Sequence, residues 1–356
     1  MRLPMKGEEV DLEEFTKMVD AFLAAGYNYF DTAHGYINGL SEKAIAQALT
    51  SRYPRDRYLL TNKLTETFFH CQEDIAPFLD SQLEICGVEY FDYYLMHAQN
   101  RRNFEHFKAC RAYETVQELK KQGKIRHMGI SFHDTPEVLD RILTEYPCIE
   151  VVQIQFNYLD YESENVQSRA CYEVCVKHGK PVLVMEPVKG GTLVNLPETA
   201  KAILDSLHGG SYASYAVRFA LHFPQVAMVL SGMSNMEQMN DNISSTCDYR
   251  DLNDAEWDAI ASVCQAVSDA LIPCTHCRYC IEENHCPKAI EIPEVFGAYN
   301  AKTVMHEWWA DRKYSGAVEG KGKASDCIRC GMCEKVCPQH IKIRDFLAKA
   351  AEVFGY

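Results

Sequence analysis

The stretch Cys327-Ile-Arg-Cys330-Gly-Met-Cys333-Glu-Lys-Val-Cys337-Pro338 decides the structure of the C-terminal part of the chain. Its cysteines follow the spacing C-x₂-C-x₂-C-x₃-C-P, in which four thiolates can hold the corners of one iron–sulfur cubane. The proline keeps the residue before it in an extended conformation. Because this spacing and the proline occur together, we predict a [4Fe–4S] centre rather than cysteines scattered by composition.

A second set of cysteines precedes this stretch, with the spacing C-x₂-C-x₂-C-x₅-C-P: Cys274, Cys277, Cys280 and Cys286. Zinc is the competing metal for either set, but zinc sites usually pair two C-x₂-C knuckles across a longer loop. Two sets therefore imply two [4Fe–4S] clusters. In two-cluster ferredoxins the fourth cysteine of each motif binds the other cluster, and we expect the same crossing here.

Length and composition limit the class of protein. The chain has 356 residues, 47% of them hydrophobic, which predicts two domains with packed cores. Its 16 cysteines, eight of them outside the two sets, indicate a reducing cytoplasm, and exposed clusters favour low oxygen. The net charge of −14 argues against nucleic acid as a partner. No apolar run suits a signal peptide or a membrane span, so we expect a cytoplasmic protein without a membrane partner.

Helical and strand patterns alternate upstream of the cysteines. Residues 11–25 carry apolar side chains every three or four positions and predict an amphipathic helix, and 104–122 predicts another. Strands are predicted at 27–31, 58–63, 92–97, 127–131, 151–156, 181–186 and 227–231. Repeated strand–helix units form parallel sheets. Because no Gly-rich dinucleotide fingerprint follows a strand, the pattern favours a (β/α)₈ TIM barrel over a doubly wound sheet.

The first strand of this barrel is truncated or missing. Few residues precede the first helix, so either 2–5 is the remnant of that strand or the true start of the protein lies upstream. The barrel is predicted to end near residue 268. The expected organisation is thus an α/β barrel at 1–268, followed by a small α-helical, ferredoxin-like iron–sulfur domain at 269–356.

Reactive side chains fall at the carboxyl ends of the predicted strands, where barrel enzymes carry their chemistry. Asp31, Lys63 and His97 end three successive strands, and Tyr36 lies in the loop after the first of them. A tyrosine has a free pKa of about 10, and a nearby ammonium lowers that pKa by favouring the phenolate. Lys63, held by Asp31, is expected to act in this way on Tyr36. The competing interpretation is an ion pair that stabilises a strand end, beside an ordinary buried histidine.

Six short motifs stand in order along residues 1–265: Asp31-Thr-Ala-x-x-Tyr36, Thr61-Asn-Lys63, Asp92-Tyr-Tyr-Leu-Met-His97, Gly129-Ile-Ser131, Gln153-Ile-Gln-Phe-Asn157 and Ser231-Gly232. Together they resemble the aldo-keto reductase family. The C-terminal half is similar to the branch of that family with a ferredoxin-type domain carrying two [4Fe–4S] clusters.

The resemblance implies a site and a cofactor. It implies NAD(H) or NADP(H) bound by the barrel, Tyr36 as general acid in carbonyl reduction, Asp31 and Lys63 tuning that tyrosine, and His97 orienting the carbonyl. It also implies six cofactor contacts: Ser131, Gln153, Gly232, Ser234, Gln238 and Asn242.

Two departures from the family concern the cofactor. The segment 231–242 contains no Lys or Arg, whereas members that prefer NADPH place basic residues there to hold the 2′-phosphate. Met185 stands where a ring usually stacks on the nicotinamide. NADH is therefore plausible, and a flavin in place of nicotinamide stays open.

Two functions remain at this point. The first is an oxidoreductase of aldo-keto reductase type that interconverts a small-molecule carbonyl and an alcohol by hydride transfer. The second is an electron-transfer or docking protein for a redox partner, whose barrel is a non-catalytic sensor or scaffold. Hydride carries two electrons and a cluster moves one, so a relay between them needs a converter such as flavin. Otherwise the substrate takes single electrons, or the clusters serve the structure.

Overall fold

A computed structural model describes residues 2–164, 166–282 and 286–355. The chain forms two compact units: Met1–Pro187 with Ala213–Leu252, and Val188–Tyr212 with Asn253–Tyr356. The predicted domain boundary after residue 268 stays a prediction. The compact units divide the chain differently, since the second unit also includes helix 254–270 and the segment 188–212.

The first unit is built on a parallel sheet of seven strands, in which each strand pairs with the next strand along the chain. A hairpin that the sequence did not predict precedes it, β1 (Met5–Lys6) with β2 (Glu9–Val10). The strands of the sheet are β3 (Tyr29–Asp31), β4 (Leu59–Leu64), β5 (Phe91–Gln99), β6 (Ile125–Phe132), β7 (Val151–Gln155), β8 (Val182–Met185) and β9 (Val226–Val229). This order confirms the α/β barrel class. The predicted strand remnant at 2–5 is not part of the sheet, because residues 2–4 join no strand and Met5 belongs to the hairpin.

The helices follow the strands along the chain. They are α1 (Leu12–Ala24), α2 (Leu40–Ile45), α3 (Gln72–Cys86), α4 (Arg101–Ala109), α5 (Ala112–Lys121), α6 (Pro136–Glu145), α7 (Ser168–Lys177), α8 (Glu198–Asp205), α9 (Tyr212–Leu221), α10 (Met236–Cys247), α11 (Asp254–Ala270), α12 (Tyr279–Glu282), α13 (Ile292–Thr303), α14 (Ala310–Val318), α15 (Met332–Lys335) and α16 (Ile343–Phe354). A π-helical turn (Ala46–Thr50) continues α2, and 3₁₀ turns lie at Arg55–Arg57, Glu66–Phe68, Lys189–Val194 and Ala324–Asp326. None of the helices within the described residues is both long and apolar enough to cross a membrane.

Local sequence explains the first helix. Asp11 caps α1 by accepting a hydrogen bond from the backbone N–H of Glu14 at 3.2 Å, and acidic residues in the first turn favour the positive end of the helix dipole. Phe15, Val19 and Leu23 form the buried stripe that the periodicity predicted. Burial of each such side chain contributes roughly 1.5–3 kcal/mol.

The helix predicted at 104–122 is two helices in the structure. Arg111 adopts a left-handed conformation (φ 51°) between α4 and α5, so the prediction of one continuous helix was wrong. The hydrophobic pattern did not reveal this break, because both helices bury aromatic side chains on the side that faces the core: Phe104, Phe107 and Tyr113.

A glycine allows close contact between strands at the centre of the sheet. A Cβ on Gly129 of β6 would lie 2.6 Å from the carbonyl oxygen of Val151 and 2.7 Å from a methyl carbon of Leu95. Only glycine therefore fits at this position. The close packing of β5, β6 and β7 brings their carboxyl ends together, including Ser131 two residues further along β6.

The second unit contains the cysteine motifs in a repeated structure. Each motif runs through a four-residue helix (α12 or α15) and continues into a twelve-residue helix (α13 or α16). Phe296 of α13 and Phe346 of α16 meet edge to face, with ring centres 6.0 Å apart. Their apolar core includes Cys280, Cys333 and Cys337, so the core of this unit is built around the cysteines themselves.

Candidate active site and candidate metal centres

The carboxyl end of the sheet holds a buried ion pair. Lys63 Nζ donates to both carboxylate oxygens of Asp31, at 2.7 and 2.8 Å, and to the carbonyl oxygen of Thr32 at 2.9 Å. Lys63 is 1% exposed. Burial works to lower the pKa of Lys63, but the charges of Asp31 and Tyr36 and the hydrogen bonds to them raise that pKa above its usual value. Lys63 is therefore an ammonium ion held inside the site.

Tyr36 lies directly beside this ammonium ion. Lys63 Nζ is 4.8 Å from the centre of the Tyr36 ring, and the ring of His97 lies 5.8 Å from it at 79°. Burial raises the pKa of Tyr36, and Lys63 opposes this increase without cancelling it. The sequence-based expectation of a lowered tyrosine pKa was wrong in its net direction, because desolvation of the phenolate outweighs the nearby charge. Tyr36 carries its proton at neutral pH.

His97 completes the group. Its Nδ1 lies 2.7 Å from Thr65 Oγ1, a partner that the sequence analysis missed. Burial lowers the pKa of His97 to about 3, and the charges of Lys63 and His133 contribute in the same direction. His97 is therefore a neutral imidazole. Thr65 follows Lys63 by two positions, and this period-two spacing along an extended chain was the available signal for it.

Two of the six predicted cofactor contacts lie side by side in the sheet. Ser131 of β6 pairs in register with Gln153 of β7, and both side chains are buried. Ser131 Oγ accepts a hydrogen bond from the backbone N–H of Ala98 at 2.8 Å. Gln153 Oε1 is buried and has no hydrogen-bond partner in the described part of the chain. A buried amide oxygen without a partner is costly, so this position suits a ligand with an N–H donor, such as a carboxamide.

The other four predicted contacts follow β9. Gln238 Oε1 accepts from the backbone N–H of Ser234 at 2.7 Å, and Asn242 Nδ2 donates to Ser231 Oγ at 2.8 Å. These side chains therefore shape the loop that contains Gly232 and the start of α10. The predicted contacts after β9 are therefore linked to one another within the segment 231–242. This segment is separate in the sequence from Ser131 and Gln153.

A basic residue reaches this segment from the beginning of the chain. The side chain of Arg2 packs on Gly232, where a Cβ would lie 3.4 Å from Arg2 Cδ. The absence of Lys and Arg from 231–242 therefore does not leave the segment without a cation. The sequence could not reveal this contact, because Arg2 and Gly232 are separated by most of the length of the barrel sequence.

A buried carboxylate lies behind the catalytic candidates. Glu42 is fully buried, and its Oε1 accepts from Asn62 Nδ2 at 2.8 Å and from Gln82 Nε2 at 3.2 Å. Its Oε2 lies 2.8 Å from His34 Nδ1. His34 precedes Tyr36 by two residues, and Asn62 directly precedes Lys63. Glu42 therefore connects the segment that carries the tyrosine to the segment that carries the lysine. Sequence reasoning missed this network.

Glu186 is an exposed acidic residue near the site. It adopts a left-handed conformation (φ 56°) just after Met185, and its carbonyl oxygen accepts from Asn157 Nδ2 at 3.0 Å. Asn157 is itself fixed by Asp160 Oδ2 at 2.7 Å. The charge of Glu186 is one of the smaller contributions that raise the pKa of Tyr36. Strained backbone of this kind is held in place by its surroundings and is concentrated at functional sites.

The eight motif cysteines of the second unit line two cavities. The first, here the Cys327 cavity, is lined by Cys327, Cys330, Cys333 and Cys286. The second, here the Cys274 cavity, is lined by Cys274, Cys277, Cys280 and Cys337. Each cavity thus joins three cysteines of one motif to the fourth cysteine of the other. Ile292 lines both cavities and separates them.

The donor set of each cavity fits an iron–sulfur cluster. Four thiols face each space, and thiolates are the ligands of [4Fe–4S] clusters. No three His, Cys, Asp or Glu side chains within 2–164, 166–282 and 286–355 converge as ligands of a single metal ion. The loops also share a backbone feature: His276 and Arg329, at matching positions between the first two cysteines of their motifs, are both left-handed (φ 56° and 55°).

The two units therefore define a reductase-type barrel and a two-cavity cysteine domain, and comparison with known proteins agrees with both. The chain belongs to the aldo/keto reductase family, whose model matches residues 1–265. A 4Fe-4S dicluster domain model matches residues 273–342. The protein is an oxidoreductase of aldo-keto reductase type with a C-terminal 4Fe-4S domain.

Individual relatives are distant. The NADH-specific methylglyoxal reductase of Escherichia coli is 24% identical over 302 residues, covering 71% of this chain and 88% of that protein. The 9,11-endoperoxide prostaglandin H2 reductase of Trypanosoma cruzi is 26% identical over 255 residues, covering 68% and 83%. An aldo-keto reductase of Klebsiella pneumoniae solved with NADPH has a TM-score of 0.59 at 19% identity, over 74% of this chain and 89% of that one. This last likeness concerns the fold alone.

Proposed function

We propose that the barrel interconverts a small-molecule carbonyl and an alcohol by hydride transfer, with Tyr36 moving the proton. The observation that carries this proposal is the position of the Lys63 ammonium, 4.8 Å from the Tyr36 ring and fixed by Asp31 at 2.7 Å. A cation at this distance does little for a neutral phenol, but it stabilises the phenolate that forms as the proton leaves. Lys63 therefore lowers the cost of the state after proton transfer, while burial keeps Tyr36 protonated before the reaction.

His97 and Tyr36 have different roles at the carbonyl oxygen of the substrate. Neutral His97 has one N–H, and when Thr65 donates to its Nδ1 the proton lies on Nε2. That N–H can hydrogen-bond the carbonyl oxygen without transferring a second proton. Tyr36, protonated at neutral pH, then delivers the proton to the same oxygen as the alcohol forms.

A nicotinamide cofactor, when bound, supplies or accepts the hydride. We propose that Ser131 and Gln153 bind its carboxamide, because Gln153 Oε1 has no partner among the described residues and a carboxamide N–H would provide one. Gly232, Ser234, Gln238 and Asn242 would shape the loop at the nucleotide end, with Arg2 as its cation. The E. coli relative is named as NADH-specific, and Glu237 and Asp241 disfavour an added 2′-phosphate, so we propose NADH as the preferred cofactor.

The test is the substitution Tyr36→Phe in the cluster-loaded protein. Reduction of a small aldehyde such as methylglyoxal should fall by about 10²–10⁴-fold, the usual contribution of a general acid. Binding of NADH, measured by fluorescence titration, should stay unchanged. Tyr27→Phe is the matched control, because Tyr27 bonds to Thr246 rather than to the ion pair. Unchanged turnover in the Tyr36 variant would refute the proposal and favour a non-catalytic barrel.

We propose further that the two clusters transfer electrons. The observation in favour is the shared wall: Ile292 lines both cavities, so two clusters bound there would be neighbours. A hydride donor cannot reduce a cluster directly, since it moves two electrons together. We therefore propose a one-electron source outside the barrel.

An anaerobic EPR titration tests this role. NADH alone should leave the clusters oxidised, whereas dithionite should reduce them. Reduction by NADH would instead require a flavin or an equivalent converter in the barrel. Failure of dithionite to reduce either cluster would favour clusters that only support the structure.

A further inference from the structure

The two cluster cavities differ in the charge around them. The charged residues lining the Cys327 cavity are Lys288 and Arg344, both basic. The stretch 327–344 contains four basic residues and one acidic residue, in a chain whose net charge is −14. The Cys274 cavity is lined by Arg278, which forms ion pairs with Glu282, Glu291 and Glu294 at 3.2, 3.0 and 3.5 Å. The charged residues that line the Cys327 cavity are therefore basic, whereas the arginine that lines the Cys274 cavity is part of a network with three glutamates.

The Cys327 cavity also opens to solvent through apolar side chains. Ile328 and Met332 line it and are 58% and 41% exposed, and its ligand candidate Cys330 is exposed. Exposed apolar patches with a polar rim are typical of interaction surfaces. Lys335 is exposed one helical turn after Met332, on the same face of α15. We name the surface formed by Lys288, Ile328, Cys330, Met332 and Lys335 the Met332 face.

The basic side chains around this face are held in place. Arg344 binds Glu334 through Nε at 2.9 Å and Nη2 at 2.7 Å, and it lies 3.5 Å from the position that a side chain on Gly331 would occupy. Arg329 Nη2 binds Asp345 at 2.8 Å. These pairs fix the loop and neutralise two basic residues. Lys288 and Lys335 are in no ion pair with another described residue, so they are available to a partner.

We propose that the Met332 face docks a small, acidic one-electron carrier protein, which exchanges electrons with the cluster of the Cys327 cavity. The carrier loses one electron and the cluster gains it, or the reverse, and no bond or proton moves. Transient redox interfaces are small, with charged rims that steer association. A basic rim around an apolar centre next to an exposed cluster ligand matches an acidic carrier. The inference rests on the proposed electron-transfer role of the clusters.

The test measures binding under anaerobic conditions, with the full cluster-loaded chain. The probe is an oxidised plant-type [2Fe–2S] ferredoxin of strongly negative net charge, titrated by calorimetry at low and at high salt. The double variant Lys288→Glu/Lys335→Glu should raise the Kd by about tenfold or more at low salt, and the difference should shrink at high salt. The double variant Lys121→Glu/Lys201→Glu changes the total charge equally and should bind within about twofold of the parent.

The repeat in the fold offers a second, matched comparison. Met332 and Tyr279 begin the equivalent helices α15 and α12, and both are exposed. Met332→Ala should weaken binding of the probe, and Tyr279→Ala should not. The EPR spectra of the dithionite-reduced variants must match that of the parent, which shows that the clusters are intact.

Other outcomes would overturn the proposal. Equal weakening by both double variants would mean that only net charge matters. Binding of phosphatidylglycerol vesicles or of an oligonucleotide, without binding of the ferredoxin, would assign the face to another anion. Self-association that is lost in Lys288→Glu/Lys335→Glu, without ferredoxin binding, would assign it to a second copy of the chain. If dithionite reduces the clusters and the ferredoxin does not bind, this inference fails while the electron-transfer role stands.

Discussion

Lys63 Nζ lies within 2.8 Å of both carboxylate oxygens of Asp31 while remaining only 1% exposed. A buried ammonium is costly unless it is paired, and here the pair also places a positive charge beside the Tyr36 ring. The same contact therefore satisfies the lysine and prepares the site for a phenolate. Substitutions at Lys63 and at Asp31 separate these two effects.

Replacing Lys63 by Met should remove the cation that stabilises the Tyr36 phenolate. We expect single-turnover hydride transfer to an aldehyde to slow by about 10²–10³-fold. Asp31→Asn leaves the Lys63 amine in place, but it removes the charge that contributes most to keeping that amine protonated. Part of the stabilisation should remain, so this variant should cost less, about tenfold. Stopped-flow absorbance of NADH measures both rates. Equal losses in the two variants would show that Lys63 acts as a cation only when Asp31 is present to keep it charged.

The low pKa of His97 predicts a pH effect on stability. The pKa of about 3 in the folded protein lies below the usual 6.5, so the unfolded chain binds this proton first as the pH falls. Stability from this group is therefore complete above pH 6.5 and is lost towards pH 3, by at most about 1.4 kcal/mol per pH unit. His97→Gln lacks this titrating group and does not share the loss. When the pH falls from 6.5 to 5, the unfolding free energy of the variant minus that of the parent should therefore rise by up to about 2 kcal/mol.

Urea unfolding followed by far-UV circular dichroism at the two pH values measures this difference. His178→Gln is the control, because His178 is paired with Asp140 at 2.6 Å away from the catalytic group. The rate of carbonyl reduction should also be flat in this range, since neither His97 nor Tyr36 titrates there. A pH-independent difference between His97→Gln and the parent would contradict the assignment of a neutral His97.

The buried Glu42 network predicts a large loss of stability. Glu42→Ala would remove the carboxylate partner of His34 and Asn62 and one of the three acceptors of Gln82 Nε2. Removing one partner of a buried polar network costs roughly 2–5 kcal/mol. Urea unfolding should show this loss, whereas Glu84→Ala, on the exposed side of α3, should change stability by less than about 0.5 kcal/mol. An equal effect of both variants would mean that helix propensity, not the network, is responsible.

The sequence revealed the sheet and its reactive edge because both depend on local patterns. Apolar runs located the strands of the sheet to within a few residues, and reading their carboxyl ends gave Asp31, Lys63 and His97. The sequence patterns did not identify Glu42, Thr65 and Arg2, for a physical reason. Their importance comes from contacts with residues far away in the chain, such as Glu42 with Gln82 and Arg2 with Gly232. Hydrophobic periodicity reports burial and says nothing about which polar groups meet inside the fold.

The packing of Arg2 on Gly232 predicts an effect on cofactor choice. If Arg2 faces the bound nucleotide, Arg2→Ala should raise the KM for NADPH by about two- to fivefold, the usual value of an exposed arginine–phosphate contact. The KM for NADH should change less, because it lacks the 2′-phosphate. Steady-state rates at several ionic strengths test this, since an exposed ion pair weakens with salt. Equal changes for both nucleotides would place Arg2 at the shared pyrophosphate instead.

The crossed cysteine sets make a prediction about iron content. If Cys337 serves the Cys274 cavity, then Cys337→Ala together with Cys274→Ala damages one site only, and about half of the iron should remain. Cys337→Ala together with Cys327→Ala would damage both sites, and little iron should remain. Uncrossed ligation predicts the opposite result for the two double variants. Iron and sulfide analysis after anaerobic reconstitution distinguishes the two results. Two double variants that contain Cys286→Ala repeat the test independently. Cys286→Ala with Cys327→Ala should keep one cluster, and Cys286→Ala with Cys274→Ala should lose both.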